Sequence, residues 1–192
     1  MKHIILATVV ILLSGCTNKE APMKSYLINP KLNIKQYNSV YHDKTVKIAY
    51  PNSIKGRSST AIYFAYNSIE EGSYQNASWS SSNSELLNSV IVRAVEISKI
   101  FKIVVDYRST ALTDYSLESS IYEMYHKVED GKSLSILSIR FDLIESSSNL
   151  LVKSKKFSYQ IPTKSIDALG YVQATNRAAQ KLAQDLVRWL SQ

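Results

Sequence analysis

The chain is short of the residues that disulfide-bonded, metal-binding and phosphate-binding folds depend on. Its 192 residues include one cysteine, three histidines, five glycines and four prolines. A single cysteine excludes an internal disulfide framework and a cysteine-based zinc site. Histidines at 3, 42 and 126 leave almost nothing for a histidine-rich metal centre. The glycines, at 15, 56, 72, 131 and 170, are too dispersed to cradle a phosphate. So little Gly and Pro also argues against a collagen-like or linker-dominated chain. With 45% apolar and 20% charged residues, global disorder is excluded too. No stretch approaches the roughly 20 apolar residues of a membrane span. What remains is length enough for one ordinary domain with appendages.

The one cysteine has an informative place. Residues 1–15 start with Met-Lys-His, continue in the apolar run Ile4–Leu13 and end Ser14-Gly15 before Cys16. A basic start, a short apolar core and small residues before a break describe a secretory signal. Leu13-Ser14-Gly15-Cys16 resembles the bacterial lipobox, whose cysteine is diacylated on sulfur, exposed by cleavage after the residue before it (here Gly15) and then acylated on its amine. Several chains are physically apt, because one acyl chain gives only marginal membrane binding. Thr17 stands where Asp would favour retention at the inner membrane, so the expected location is the outer membrane, facing the periplasm. The expected organisation is signal 1–15, lipidated Cys16 and tether to 25, and one domain over 26–192.

Cleavage removes only Lys2 among charged residues, leaving 22 basic against 16 acidic side chains, a net +6. In a periplasm this basicity has no nucleic acid to bind; anionic head groups or an acidic protein are the alternatives to scattered surface lysine. Lys153, Lys155 and Lys156 form the tightest cluster, and a solvated strand face accounts for it.

Periodicity predicts an α+β fold: a two-layer domain with a mostly antiparallel or mixed sheet of five to seven strands and two amphipathic helices on one face. Strands are expected at 26–30, 46–50, 61–66 (buried on both faces) and 101–107, then a meander over 116–128, 134–145 and 150–161. Asp130-Gly131 between the first two meander strands is a hairpin signal. Ser82 and Glu85 have capping-box spacing before a helix with Leu87, Val90, Ile91, Ala94 and Ile97 on one face. A second helix over 165–190 carries Ala179, Leu182, Ala183, Leu186 and Leu190 on its apolar stripe. Residues 67–84, rich in Ser, Asn and Gly, read as a loop. Trp79 stands alone in it, either pinning the loop to the body or contacting a partner. Trp189 reads as packing at the sheet edge.

Chemistry is scarce. Cys16 belongs to the lipobox, His3 leaves with the signal, His42 lies in a polar lead-in, and His126 reads as a half-exposed strand residue near a hairpin end. Glu70-Glu71 and Glu129-Asp130 fall in predicted loops or turns. No Gly-x-Ser-x-Gly, His-Glu-x-x-His, Walker or Rossmann pattern occurs. The reading is of a non-enzyme with no metal or cofactor.

The lipobox, Tyr26-Leu27, the strand Ile62-Tyr63-Phe64, Tyr74, Ala77-Ser78-Trp79 before Leu86-Leu87, the meander and the closing Asp185-Leu186-Val187-Arg188-Trp189-Leu190 follow one another in an order that resembles the ABC-type transport auxiliary lipoproteins, which include the lipoprotein of the Pqi system. In place of that family's Arg before the Trp and acidic-Pro pair after it, this chain has Ser78 and Ser80-Ser81, so only Trp79 is carried over, as a partner contact. The resemblance implies an accessory role in lipid or hydrophobic-compound traffic. Its partners would be an Mce-domain (MlaD-like) periplasmic protein and an inner-membrane ABC transporter. Docking would be at the outer membrane, in a homo-oligomeric ring. The competing class is a structural outer-membrane lipoprotein of a secretion or envelope-assembly machine.

Overall fold

Residues 22–54, 59–67 and 69–192 are described by the computed structural model. The signal segment, Gly15, Cys16 and the tether up to residue 21 lie outside the described residues. In chain order the elements are β1 (Lys24–Tyr26), β2 (Thr45–Ile48), β3 (Asn52–Ser53), β4 (Ala61–Ala65), β5 (Glu71–Trp79), α1 (Asn83–Ser98), β6 (Ile103–Asp106), β7 (Tyr115–Glu129), β8 (Lys132–Glu145), β9 (Leu150–Pro162) and α2 (Ala168–Leu190).

The long meander is the frame. Asp130 and Gly131 both adopt positive φ, +50° and +71°, which a two-residue hairpin turn requires, and β7 pairs antiparallel with β8 along its length. β8 in turn pairs antiparallel with β9. The other edge of β7 is shared end to end by three short parallel strands: β2 at its start, β3 in the middle and β4 near its end. β6 extends the sheet beyond β2, while β5 and β1 extend it beyond β4. The result is a mixed α+β sheet of nine strands rather than five to seven. β3 and β5 account for the two beyond seven, β3 being too short to show a pattern, and the strand expected at 26–30 lies earlier, as β1 at Lys24–Tyr26.

β7 contains a register shift between Ile121 and Glu123. Before it, Leu117, Ser119 and Ile121 face the helices; after it Met124 and His126 do. One extra residue swaps the face of every residue beyond it. This bulge buries His126, which strict alternation would leave half-exposed.

Both helices cover the face bearing Ile48, Leu117, Leu137, Ile139, Phe141 and Leu143; α1 packs on β2 and β6, α2 on β8 and β9, and the helices on each other. The Ser82 hydroxyl accepts from the Glu85 amide at 3.2 Å, as the capping spacing predicts. The reciprocal half of the box is missing, because the Glu85 carboxylate accepts from Arg108 at 2.9 Å instead. α2 begins after Asp167, whose Oδ1 accepts from the Gly170 amide at 2.7 Å. A Cβ on Gly170 would lie 2.3 Å from the Ser165 carbonyl oxygen, so only glycine lets the incoming chain pass this close. All five residues expected on the α2 stripe are buried, and each buried Leu contributes ~1.5–3 kcal/mol relative to exposure. On α1, Ile97 departs from expectation: ten residues after Leu87 it has rotated about 80° off the covered face, and it is exposed while Val95 and Ser98 are buried.

Residues 67–84 are not one loop. β5 occupies half of the segment, paired on one side with β4 and on the other with β1, so backbone ladders rather than side-chain propensity hold it extended. Trp79 closes this strand with 2% of its surface exposed, its ring 5.9 Å from that of Tyr171 on α2. The expectation of a partner contact at Trp79 is therefore corrected: the inward face of β5 carries the ring into the core. β4 differs as well, with Ile62 fully buried but its neighbours only partly so.

Candidate functional site

Two features at the same end of the molecule concentrate its chemistry. The first is His126, with 0% of its surface exposed. Its ring stacks on Tyr171 at 5.2 Å and on Tyr74 at 6.1 Å. Nδ1 is 2.7 Å from the Tyr74 hydroxyl and Nε2 is 2.5 Å from Ser133 Oγ, which also accepts from the Thr163 hydroxyl at 2.5 Å. A neutral imidazole has one donor and one acceptor, so this arrangement satisfies it fully. Burial pushes the His126 pKa down, opposed in part by the negative charge of Asp167. Burial, with Asp167 and Tyr66 nearby, pushes Tyr74 up to about 12. Serine, histidine and tyrosine stand in the order of nucleophile, base and orienting group, yet the imidazole is enclosed between two aromatic rings. Ser135 and Thr175, bonded at 2.8 Å, continue the polar seam between β8 and α2.

The second feature is an open groove of roughly 560 Å³ with mainly apolar walls, lined by Pro22, Lys24, Tyr26, Tyr74, Ala77 and Leu169 among others. Tyr74 joins the two: its ring lines the groove while its hydroxyl reaches inward to His126. Asp167 borders the groove too, but its charge is occupied. The Gly170 amide, and after it the Ser165 hydroxyl, hold its pKa below the usual carboxylate value. Pro22, the first described residue, lines this groove, six residue steps beyond Cys16.

α2 separates this end from the other; 23 residues at 1.5 Å each span about 34 Å. At the far end, Lys153 Nζ donates to the carbonyls of Trp189 (3.1 Å) and Leu190 (3.2 Å), capping α2, and lies over the rings of Tyr41 and Trp189. Burial lowers its pKa. The lysine cluster is thus divided. Lys155 lies over Phe157, while Lys156, on the opposite face of β9, lies over Tyr122. Also here, Leu112 is 99% exposed and Leu150, Leu151 and Val152 form an exposed apolar run on the edge strand.

The remaining residues marked by the sequence are dispersed. His42 is exposed and pairs with neighbouring Asp43 at 3.0 Å. Glu129 pairs with Lys127 at 2.6 Å and Asp130 forms the hairpin turn. Glu70 accepts from Asn67, and Glu71 opens β5. Trp189 packs edge-on against Phe157 beneath the sheet, as expected. Sequence reasoning missed the Tyr74–His126–Ser133 chain because its members come from three strands and the bulge hides the facing of His126. Among the described residues no three of His, Cys, Asp and Glu gather to hold a metal ion, and no helix is long and apolar enough to cross a membrane.

No family model and no curated protein matches the chain. Solved structures do share its fold. A Xanthomonas campestris protein bearing the DUF330 family model superposes with TM-score 0.73 at 21% identity, over 90% of this chain and 94% of the other. PelC from Paraburkholderia phytofirmans, solved as a dodecamer, superposes with TM-score 0.52 at 13% identity, over 82% and 96%. Lipoprotein GNA1162 from Neisseria meningitidis overlaps more loosely, with TM-score 0.41 at 10% identity, over 72% and 97%.

Proposed function

We propose that the chain is an envelope lipoprotein, held by acyl chains on Cys16, that serves as the accessory of an Mce/ABC-type system moving lipid or another hydrophobic compound, and that it docks at the outer membrane. The observation that carries the reading is the lipobox Leu13-Ser14-Gly15-Cys16 placed directly ahead of the fold. Pro22 lies six residue steps beyond Cys16, and at about 3.5 Å each they reach no more than about 21 Å, so the domain stays against the bilayer that holds the anchor. The ordered family features in the sequence support the transport role, and the fold is shared with the DUF330 protein. A non-enzymatic role agrees with a histidine enclosed by Tyr74 and Tyr171. PelC is a dodecamer; its shared fold supports a homo-oligomer here, which would set several acyl anchors side by side.

Metabolic labelling with an alkyne fatty acid tests the anchor. The wild-type chain takes up label and fractionates with the outer membrane, and Cys16→Ser abolishes both. Label retained in Cys16→Ser would refute lipidation at this residue. Crosslinking in intact cells tests the partner, with capture of an Mce-domain protein expected. Consistent capture of an outer-membrane β-barrel or secretion subunit instead would replace the transport role with the assembly-machine reading.

A further inference from the structure

The groove end carries exposed apolar side chains that packing does not explain. Met23 is 64% exposed, Ile166 58% and Leu169 48%. Leu169 lines the groove, Met23 lies between the lining residues Pro22 and Lys24, and Ile166 precedes the α2 cap. Leu27, also exposed, follows along α2, where its carbonyl accepts from Asn176. Some polar groups beside them are already bound: Asp167 by Gly170 and Ser165, and Thr163 by Ser133. Lys24, Gln75 and Asn76 also line the groove and are exposed, so whatever covers this end must meet a cation and two amides as well as the apolar side chains, as the head-group boundary of a bilayer does.

From this we infer that the groove end is a membrane-contact surface: Met23, Ile166 and Leu169 insert at the boundary of head groups and acyl chains in the leaflet that holds the Cys16 anchor, fixing the orientation of the domain. The inference rests on lipidation of Cys16. The occupant follows from reach, since Pro22 lines the groove itself and lies no more than about 21 Å from an acylated Cys16, which keeps that groove at the bilayer. An apolar face beside an acyl anchor supplies the second signal that stable and oriented attachment needs. α2 then rises from the membrane, and Leu112 with Leu150–Val152 is presented about 34 Å away from it.

The test uses the full lipidated chain reconstituted in phosphatidylethanolamine/phosphatidylglycerol vesicles. Acylation blocks the Cys16 thiol, so one introduced cysteine takes a polarity-sensitive dye: Leu169→Cys, Ile166→Cys or, as the far-end control, Leu112→Cys. Brominated acyl chains are expected to quench the dye at 166 and 169 and leave it unquenched at 112. Adding Met23→Asp to the Leu169→Cys chain should lower that quenching at least twofold. Both changes fall on exposed side chains, and an unchanged circular dichroism spectrum verifies the fold. Water-like emission at all three positions, with Cys16 blocked, overturns the contact surface and leaves the anchor standing. Dye uptake at Cys16 itself, with the chain washing off the vesicles, overturns both.

Discussion

Replacing His126 with phenylalanine isolates the polar content of the buried stack, because a phenyl ring keeps the place between Tyr74 and Tyr171 and loses both hydrogen bonds. Ser133 retains the Thr163 hydroxyl, so its loss is partial. The Tyr74 hydroxyl forfeits its 2.7 Å partner, and a stranded buried hydroxyl costs ~1–3 kcal/mol. His126→Phe should thus destabilise the domain by about 2 kcal/mol, lowering Tm by roughly 4–8 °C in a chain of this size. Adding Tyr74→Phe removes the stranded group, and the double variant should recover about 1 kcal/mol relative to His126→Phe alone. pH supplies a second signature. The folded-state pKa of His126 lies below the unfolded value of about 6.5. Acid therefore protonates the unfolded chain first. The stabilisation from a neutral His126 is complete above about pH 6.5 and drains away as pH falls toward the folded-state value. Urea unfolding at pH 8, 6.5 and 5 measures this, followed by fluorescence of the buried Trp79 and Trp189. Wild-type stability should fall over that range more steeply than that of His126→Phe. Identical pH slopes, or a double variant in which the two costs simply add, would refute the reasoning.

Three further predictions rest on single contacts. Lys153→Met keeps the apolar stem and removes the cap from the Trp189 and Leu190 carbonyls; it should cost about 1 kcal/mol by chemical denaturation, and a change below about 0.3 kcal/mol would mean water caps α2 equally well. Ser82→Ala removes the N-cap of α1 and should cost ~1 kcal/mol, read as a lower thermal midpoint, with Ser82→Asn close to wild type. Gly131→Ala has space for its methyl group but places it at φ +71°, so a loss of ~1 kcal/mol is expected from backbone conformation alone; an unchanged midpoint would contradict the turn.

Elements whose sequence pattern agrees with their environment are legible in the sequence alone. Leu137, Ile139, Phe141 and Leu143 alternate because one face of β8 meets the helices, and the Asp130-Gly131 turn follows from two positive φ angles that few other pairs accept. What was illegible depends on partners distant in sequence. Glu71–Trp79 is a strand because β4 and β1 flank it, against the propensity of its Ser and Asn; Ala77 and Trp79 at alternate positions were its one local mark. The bulge in β7 leaves no local signature, so the strand expected over 116–128 is present while His126, read as half-exposed, turns inward. Lys153 appeared as part of a basic patch because its carbonyl partners lie 36 and 37 residues downstream.

The shared edge of β7 also governs the order in which this chain can fold. β2 and β3 find strand partners only in β6 and β7, and the bond from Thr45 to Asp114 closes 69 intervening steps of chain. Closing such a loop is slow and entropically costly, whereas β7 and β8 are joined by two residues and can zip within microseconds. The hairpin should therefore form first and template the amino-terminal strands, which are synthesised earlier yet must wait for it. Until β7 arrives, Val46, Ile48 and Ile62 are uncovered strand residues, the ones a holdase chaperone would have to shield.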